Sequence, residues 1–429
     1  MTPQDSVSCG VRFFLYYERR NTLTLSISIF AESKKADVEI IEIKGAGHPD
    51  TVCDTIAEEI SKDYSRYCLD TFGFILPHMI DKIGVLGGLS NCEFGKGEIV
   101  KPITILLNGR LSKNLGDREI PVEQIAMSAI KNVLSRIFLL LNVDKHVIVQ
   151  NNLHYSRGPG VVLVPDQSNE RHDYYTPKAA QGVMHARKDT VCNDTSVVVG
   201  YAPELIGERI ARDLETMLFS RQFKASYPFI GTDIKIMLVR TDKQVSITCC
   251  IPFICVHTPS LEFYKTQKEM LNKLITEYLC TSHPALSFEV SLNTRDNYDK
   301  PDLYLTVIGS AIESGDEGLV GRGNRSNGVI NVTAPMSIEA YSGKNPVHHV
   351  AKVYSFIAQK IAREIYVKSG FNTEVYLVSQ MGRSIHDPWK IVIKIVGVPD
   401  SNLDAAIHEI VASNLRDSEA VTMALISKM

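Results

Sequence analysis

The sequence lacks any apolar run that approaches the ~20 residues of a membrane-spanning helix, so no membrane partner is expected. It also lacks a basic excess, because 46 Lys and Arg residues stand against 49 Asp and Glu residues, for a net charge of -3. Dedicated nucleic-acid binders usually carry a strong basic excess or stripe. No nucleic-acid partner is therefore expected, and an anionic ligand would need a local cluster of cations.

Cysteine spacing excludes two further classes of protein. The nine cysteines are scattered and form no CxxC pair, which gives neither a disulfide framework nor a zinc site. Reduced thiols in a cytosol are the simplest interpretation, so a cytoplasmic location is expected. Residues 1–37 contain short apolar runs separated by charges, without the order of a signal peptide. We interpret this segment as an extension or an edge hairpin.

Several common catalytic signatures are missing as well. The chain has no GxxxxGK[ST] phosphate loop, no GxSxG nucleophile elbow and no HExxH zinc motif. The stretch 45–50 begins like a dinucleotide fingerprint, but its sixth position is Asp50 instead of glycine. The sequence therefore gives no support to a P-loop nucleotidase, a serine hydrolase or a zinc protease.

What is present indicates a folded α+β protein. A chain of 429 residues is long enough for about three domains. Helical and strand patterns alternate without a regular βαβ period, and several strands look hairpin-linked, which predicts mixed or antiparallel sheets covered by helices. We predict the extension 1–37, followed by three α+β domains with approximate limits at 38–165, 166–300 and 301–429.

Apolar spacing of three and four residues predicts the long helices, and period-two alternation predicts strands. The first helix is expected to begin near residue 50. Further helices are expected at 121–141, 203–219, 260–280, 346–367 and 403–415. A hairpin is expected within 233–256, around the turn at 241–244, and a strand is expected at 303–308.

The first candidate loop is Gly45-Ala-Gly-His-Pro-Asp50, between a predicted strand and a predicted helix. Glycines let a backbone approach a ligand closely, and the free N–H groups of a helix N-terminus favour an anion. His48 and Asp50 lie together at that helix start. The alternative is that both side chains only cap and brace the turn.

Two further loops carry weaker signals. In Asn193-Asp-Thr-Ser, a single Asp194 before a short apolar strand is usually turn chemistry. In Gly231-Thr-Asp-Ile-Lys, Asp233 and Lys235 are two residues apart on a strand and so share one face. The alternative for this second pair is an ordinary exposed ion pair.

The strongest loop signal is Gly315-Asp-Glu-Gly-Leu-Val-Gly-Arg-Gly-Asn-Arg325, which is followed by Tyr341-Ser-Gly-Lys-Asn-Pro346. Carboxylates, cations and five glycines fall together within these stretches. A polyphosphate needs carboxylates to hold Mg²⁺, cations to neutralise its oxygens and glycines for close backbone contact. A merely solvated charged loop would not need so much glycine.

Taken in order, these motifs resemble those of archaeal-type methionine adenosyltransferases, the S-adenosylmethionine synthetases. The matching stretches are GHPDTVCD (47–54), NDTSVVVGYAP (193–203), GTDIKIM (231–237), GDEGLVGRGNRSNGVI (315–330) and PMSIEAYSGKNPVHHV (335–350). The resemblance covers about residues 38–429. Five motifs in the same order make it highly specific.

The resemblance implies three similar α+β domains, interleaved in sequence and related by pseudo-threefold symmetry. It implies a homodimer with two active sites between facing sheets, each built from both subunits. The substrates would be ATP and L-methionine. The cofactor would be Mg²⁺, with a requirement for K⁺ left open.

The same resemblance implies roles for single residues. His48 matches the catalytic histidine near the ribose 5′-oxygen, and Asp50 matches a Mg²⁺ ligand. The other implied positions are Lys235, Arg322 and Lys344 for the triphosphate, Asp194 and Asp233 for the nucleoside or the methionine amino group, and Asp316, Gly315, Gly318, Gly321, Arg325 and Asn345 for ATP or methionine.

The sequence departs from the family pattern at several positions. They are Thr51 for Ser, Glu317 for Asp, Val197-Val198 for Phe-Gly, Leu238-Val239 for Gly-Leu and His348 for Asn. Bacterial relatives carry a second metal-binding Asp where this chain has Asn345. The archaeal pattern has Asn at this position too. These departures motivate one rival hypothesis, a weakened homologue that binds nucleotide and regulates a partner. A kinase-like phosphoryl transferase and a scaffold protein are two others.

The expected reaction is in-line attack of the methionine sulfur on the 5′-carbon of ATP, with triphosphate as the leaving group and then hydrolysed to phosphate and diphosphate. Sulfur is already nucleophilic, so the barrier lies in orientation and in charge growing on the bridging oxygen. Orientation can supply about 7–11 kcal/mol, and each well-placed donor about 3 kcal/mol.

Overall fold

The computed structural model describes residues 27–31, 38–155, 173–180, 190–300, 302–397 and 400–427. The helices in these ranges are α1 Pro49–Phe72, α2 Val122–Ile137, α3 Val143–His146, α4 Ile206–Phe219, α5 Arg221–Ser226, α6 Leu261–Ser282, α7 Val350–Ser369, α8 Ser401–Arg416 and α9 Ser418–Ser427. None of these helices combines the length and apolar character that crossing a bilayer requires.

The first ten strands of the described residues are β1 Ile27–Ala31, β2 Val38–Lys44, β3 His78–Met79, β4 Gly84–Leu86, β5 Leu89–Glu93, β6 Lys96–Lys101, β7 Ile103–Leu111, β8 Asn114–Leu115, β9 Arg118–Glu119 and β10 Val147–His154. The others are β11 Val197–Ala202, β12 Lys235–Thr241, β13 Gln244–Cys250, β14 Phe253–Ile254, β15 Ser287–Leu292, β16 Leu305–Thr306, β17 Gly318–Leu319, β18 Ile330–Asn331, β19 Thr373–Val378 and β20 Lys390–Ile395.

Three larger sheets share one pairing plan. Their strand orders are β10-β7-β4-β17, β15-β13-β12-β2-β18 and β1-β20-β19-β11. In each order the first pair is parallel and the next two pairs are antiparallel. The chain therefore folds as three α+β units of one build, which confirms the predicted fold class.

Two helices cover each sheet and close a separate hydrophobic core. Helices α1 and α2 pack on the first sheet, α4 and α6 on the second, and α7 and α8 on the third. Val52, Ile56 and Ile60 of α1 are buried at four-residue spacing, which is the apolar stripe expected of a helix on a sheet. In the third unit, a Cβ at Gly200 would lie 2.3 Å from the backbone nitrogen of Gln359, so only glycine allows β11 to approach α7.

The units exchange chain segments. Strand β2 of the second sheet leads directly into α1 of the first unit. Strand β11 of the third sheet leads into α4 of the second unit, and β17 of the first sheet is followed by β18 of the second, which precedes α7 of the third. The first two of these crossings end at the start of a helix, and the loop before α1 contacts the loop before β12. The predicted domain limits near residues 165 and 300 stay a prediction.

The parallel edge strand of the third unit comes from the beginning of the chain. In the first two units this strand follows the second helix, as β10 follows α2 and β15 follows α6. In the third unit α9 follows α8, and β1 pairs with β20 instead. Ile27 and Ile29 pack against the third core. The predicted extension thus contains an edge strand, and its residues 1–26 and 32–37 lie outside the described ranges.

Most predicted elements are confirmed, with corrections at their ends. The hairpin around 241–244 forms, with Thr241 opposite Gln244. The helix predicted from residue 346 begins at Val350, and the one predicted to residue 141 ends at Ile137. The strand predicted at 303–308 is wrong in length, because only Leu305–Thr306 pair. The β5–β6 hairpin and helix α9 were not predicted.

Candidate functional site

A cleft of about 430 Å³ opens where the loops before α1, before β12 and after β15 meet. Its lining residues are His48, Asp233, Lys235, Cys250, Asn293, Thr294, Arg295, Asp296, Asp302, Leu303, Tyr304 and Asp316. The lining mixes an imidazole, cations and carboxylates with a few apolar groups. Such a surface suits a ligand that carries both charge and a flat apolar part.

Backbone contacts bring three of the predicted loops together. The Gly45 and Gly47 N–H groups donate to Ile234 (2.7 Å) and Thr232 (2.9 Å), and a Cβ at Gly47 would lie 2.3 Å from the Thr232 hydroxyl oxygen. The Thr232 N–H in turn donates to the Gly309 carbonyl at 3.0 Å. The glycines are required at this junction because a side chain would separate the loops.

His48 is the N-cap of α1, and its Nδ1 accepts the Asp50 N–H at 3.2 Å. Since Nδ1 is an acceptor, the neutral ring carries its proton on Nε2. Burial lowers the pKa of His48 below its ordinary value, and the Asp50 carboxylate opposes that shift only in part. His48 therefore caps the helix and also presents a neutral N–H donor at the cleft.

Asp233 and Lys235 both line the cleft, but they do not form an exposed ion pair. The buried Asp233 Oδ2 accepts from Tyr304 Oη, Ser310 Oγ and the Ala311 N–H, each at 3.1 Å. Burial raises the pKa of Asp233 to about 6 despite these hydrogen bonds. These three bonds all go to Oδ2, so Oδ1 is the oxygen that can face a ligand.

Glu42 lies between two lysines on neighbouring strands. Lys235 of β12 stands directly opposite Lys44 of β2. The Glu42 carboxylate is 3.3 Å from the Lys235 ammonium and 3.8 Å from the Lys44 ammonium. Glu42 thus offsets part of the repulsion between these two cations at the mouth of α1.

Asp50 is a buried carboxylate beside the cleft. Its Oδ2 accepts from Lys44 Nζ at 2.9 Å and its Oδ1 accepts from the Leu319 N–H at 3.0 Å. Arg322 Nε approaches Oδ1 to 3.8 Å, and the Arg322 side chain is mostly exposed. Asp50 and Arg322 therefore lie together, and Asp50 follows His48 by two residues in the chain.

The donor chemistry near Asp50 fits Mg²⁺. This ion is usually held by one or two carboxylates with substrate phosphates and water, so a three-carboxylate cage is not needed. Among the described residues no group of three His, Cys, Asp or Glu could form one. A carboxylate has about four lone-pair positions, and each Asp50 oxygen has one of the hydrogen bonds above. Asp50 can therefore accept a metal ion.

The glycine-rich loop 315–325 borders the same region. Asp316 lines the cleft, and Gly315 before it has a φ of 93° in the left-handed region. A Cβ at Gly318 would lie 2.2 Å from the Pro49 carbonyl carbon. Gly321 has a φ of 91°, and its carbonyl accepts from the Arg325 guanidinium at 2.9 Å. This loop therefore lies directly against the start of α1.

Four predicted residues do not line the cleft. Buried Lys344 forms ion pairs with Glu339 and, at 3.8 Å, with Asp81. The buried Asn345 side chain donates to the Leu76 carbonyl at 3.1 Å. Asp194 lies beside Ser379, whose hydroxyl donates to the Asp194 carbonyl at 2.9 Å. Arg325 also leaves the cleft and borders a small separate pocket. A single chain does not bring these four residues to His48.

Sequence reasoning missed Lys44, Glu42 and Tyr304. Lys44 and Glu42 are two residues apart on β2 and immediately precede the glycine loop. The same i, i+2 spacing had singled out Asp233 and Lys235, so the signal was available. Tyr304 had no comparable signal, because its position opposite Asp233 depends on the fold of the loop after β15.

Three interleaved α+β units, with a charged cleft at the start of one helix, define the structural class of this protein. Its sequence matches the family described as S-adenosylmethionine synthetase (AdoMet synthetase) over residues 22–429. The chain belongs to the S-adenosylmethionine synthetase family.

Similar proteins span nearly the whole chain. An S-adenosylmethionine synthase of Hyperthermus butylicus is 36% identical over 417 residues, which cover 94% of this chain and 97% of the relative. One of Pyrobaculum aerophilum is 39% identical over 365 residues, with 84% and 86% covered. A solved structure of an unusual S-adenosylmethionine synthetase from Campylobacter jejuni has a TM-score of 0.55 at 16% identity, over 89% of this chain and 88% of that one. This last likeness concerns the fold alone.

Proposed function

We propose that the protein makes S-adenosylmethionine from ATP and L-methionine and releases triphosphate, which it hydrolyses to phosphate and diphosphate. The observation that carries the proposal is the joint presence of His48, Lys235 and Asp316 in one cleft beside Asp50. The relatives named S-adenosylmethionine synthase over most of the chain support the same chemistry.

His48 would stabilise the bridging oxygen as the sulfur attacks the ribose 5′-carbon. A neutral imidazole with its proton on Nε2 can donate a hydrogen bond to that oxygen through Nε2–H. Charge appears on the oxygen only as its bond to carbon breaks, so the hydrogen bond strengthens in the transition state. His48 therefore acts on the rate more than on the binding of ATP.

Lys235 and Arg322 would hold the triphosphate on either side of the helix start. The free N–H groups of α1 favour an anion there. Mg²⁺, held by Asp50 and the phosphates, would supply further neutralisation of the phosphate oxygens. Asp233 would accept the methionine ammonium through Oδ1, since an acceptor-only carboxylate in a buried site selects a cation.

A homodimer is also part of the proposal, because Lys344 does not reach the cleft of its own chain. Its carbonyl accepts from Ser61, and Ser61 lies eleven residues after Asp50 on α1, which is ~16 Å along the axis. A partner copy would present Lys344 to the cleft by opening its ion pair with the partly exposed Glu339.

Coexpression of a His48→Asn chain with a Lys344→Met chain tests this arrangement. If the two residues serve one site from different chains, mixed dimers contain one intact site, and activity should return to roughly a quarter of the wild-type value. Each variant expressed alone should be nearly inactive. A coexpressed sample that stays inactive, or a fully active Lys344→Met protein, would contradict the shared site.

The positions at which the sequence departs from the family pattern do not support the rival hypothesis of a regulatory subunit. Val198 and Leu238 are core residues of two units, and His348 contacts Tyr174. None of these three lines the cleft. Glu317 is exposed beside Asp316 and keeps a carboxylate. These four departures therefore leave the cleft chemistry unchanged.

The deciding experiment incubates the purified protein with ATP, L-methionine and Mg²⁺ and analyses the products by mass. S-adenosylmethionine with phosphate and diphosphate would support the proposal. ADP would indicate a phosphoryl transferase. Nucleotide binding without any product would indicate the regulatory homologue.

Acid should weaken methionine binding through Asp233. Its carboxylate has a pKa of about 6, so it becomes neutral below that pH and no longer attracts an ammonium. We expect the KM for methionine to rise about tenfold per pH unit below pH 6, while binding of ATP changes less. A methionine KM independent of pH between 5 and 7 would exclude Asp233 as the ammonium acceptor.

The Asp233 carboxylate also destabilises the fold when it is ionised. Stability should therefore fall as the pH rises, whereas methionine binding improves. The folded pKa of Asp233 is raised by burial, so its contribution to stability is present below about pH 4 and is lost as the pH rises through about 6. Asp233→Asn should therefore raise Tm at pH 8, by about 1–3 °C, and give no gain at pH 4. Methionine binding should be lost in this variant at both pH values.

A further inference from the structure

The loop that carries Arg322 is attached to two elements at once. From β2, Lys44 Nζ donates to the Arg322 carbonyl at 2.6 Å, and the Lys44 N–H donates to the Asn324 side chain at 3.0 Å. From α1, Asp50 accepts the Leu319 N–H. The loop itself has almost no regular structure, so these side chains set its position.

Asp54 makes the central attachment on the helix side. Its Oδ1 accepts the Gly321 N–H at 2.8 Å and its Oδ2 accepts the Gly323 N–H at 3.1 Å. The two glycines flank Arg322 on either side. One carboxylate thus holds the N–H groups of both residues next to this arginine, across a sequence separation of more than 260 residues.

The space around Asp54 shows that the attachment is tight. A Cβ at Gly323 would lie 2.2 Å from Asp54 Oδ2, so the glycine is needed for this contact. Burial raises the pKa of Asp54 to about 6, although both N–H bonds and Arg325 act against that shift. Desolvation makes this carboxylate costly to ionise, and both of the hydrogen bonds above go to the loop, so its role calls for a reason other than helix stability.

We propose that Asp54 is a positioning residue that holds the Gly321–Gly323 turn so that the Arg322 guanidinium faces Asp50 and the phosphates of a bound polyphosphate. The inference rests on the proposed function for the identity of the ligand, but the geometry of the turn does not depend on it. Arg322 has a mostly exposed side chain, and its Nε is 3.8 Å from Asp50. Without a fixed turn the Arg322 side chain would sample many positions in solvent. It would then have to be ordered each time a ligand binds.

A double-mutant cycle tests whether Asp54 acts through Arg322. Asp54→Asn keeps the volume and one acceptor but loses the second N–H bond. We expect it to lower kcat for S-adenosylmethionine formation about 10- to 50-fold, with a smaller effect on the KM for methionine. In an Arg322→Ala background the same change should cost less than about threefold. Equal losses in both backgrounds would overturn the proposal.

A second measurement separates this proposal from the proposed function. Binding of inorganic tripolyphosphate with Mg²⁺ needs no catalysis, so it can be measured even if the protein makes no S-adenosylmethionine. Asp54→Asn should weaken it about tenfold in the wild-type background and little in the Arg322→Ala background. Hydrogen exchange at Gly321 and Gly323 should rise at the same time.

Controls distinguish positioning from general destabilisation. Asp63→Asn changes a partly exposed carboxylate on the same helix, paired with Arg66, and should leave kcat, tripolyphosphate binding and loop exchange unchanged. If Asp54→Asn raised exchange throughout α1 and lowered Tm sharply, its role would be structural and the proposal would fail. Unchanged exchange at Gly321 and Gly323 would contradict it as well.

Discussion

Replacement of His48 by Asn should lower kcat for S-adenosylmethionine formation by about 10²–10³-fold, the usual effect of removing one donor to a developing oxyanion. Affinity for ATP should change less than about threefold. The asymmetry follows from the charge on the bridging oxygen, which is small in bound ATP and large when triphosphate leaves. Rapid quench measurement of sulfonium formation, with ATP affinity by calorimetry, gives both quantities.

Asn is a suitable replacement because it keeps the structural role of His48. The imidazole caps α1 by accepting the Asp50 N–H, and Asn is among the most favourable N-cap residues. The variant should therefore keep its Tm within about 2 °C, so a slow rate would not reflect a lost helix start. A parallel fall of ATP affinity and rate would mean that His48 only braces the loop.

His408→Asn provides the matched control. This histidine is half-exposed on α8, within the third unit, and its Nδ1 lies near its own helix backbone. Both measured quantities should stay at their wild-type values. If this exchange slowed the reaction comparably, the effect at residue 48 would not be local to the cleft.

The sequence singled out each of the three loops that meet at the cleft, because each has a recognisable pattern. Gly45 and Gly47 are predicted to let the backbone approach a ligand, and in the structure they lie against residues 232–234. Asp233 and Lys235 were assigned to one strand face, and both line the cleft. Local spacing is enough for such conclusions, since a strand fixes which side chains share a face.

Two other features depend on pairings between distant segments. The common strand plan of the three units leaves no repeat in the sequence, because similar cores can be filled by different apolar side chains. The contribution of β1 to the third sheet depends on its pairing with β20, about 360 residues further along the chain. Neither follows from patterns within a window of a few residues.

Lys344 shows the limit of transferring a role from a motif. Its stretch matches the family closely, but in this chain the ammonium is buried against Glu339 and Asp81. The motif locates the residue at the loop before α7 without stating which chain it serves. Its proposed role therefore depends on the dimer, which the coexpression experiment tests.

Lys235→Met should lower kcat/KM about 10²-fold or more, because it removes a cation from the phosphate side of the cleft and keeps the aliphatic stem. Folding should be spared. The Lys235 ammonium stands opposite that of Lys44 and is about 39% exposed, so its removal relieves a repulsion. Glu42 remains beside Lys44. Thermal unfolding should show a Tm within about 2 °C of the wild type.

Lys44→Met is the informative contrast, since the same chemical change should have the opposite result. Lys44 is buried and donates to Asp50 and to the Arg322 carbonyl. Its loss leaves a buried carboxylate without its cation, which costs about 3–5 kcal/mol in comparable pairs. We expect a Tm lower by several degrees, and activity lost together with stability. Lys243→Met, at the exposed turn of the β12–β13 hairpin, should change neither quantity. If the Lys235 variant unfolded as readily as the Lys44 variant, Lys235 would be a structural ion-pair partner of Glu42 and not a ligand of the triphosphate.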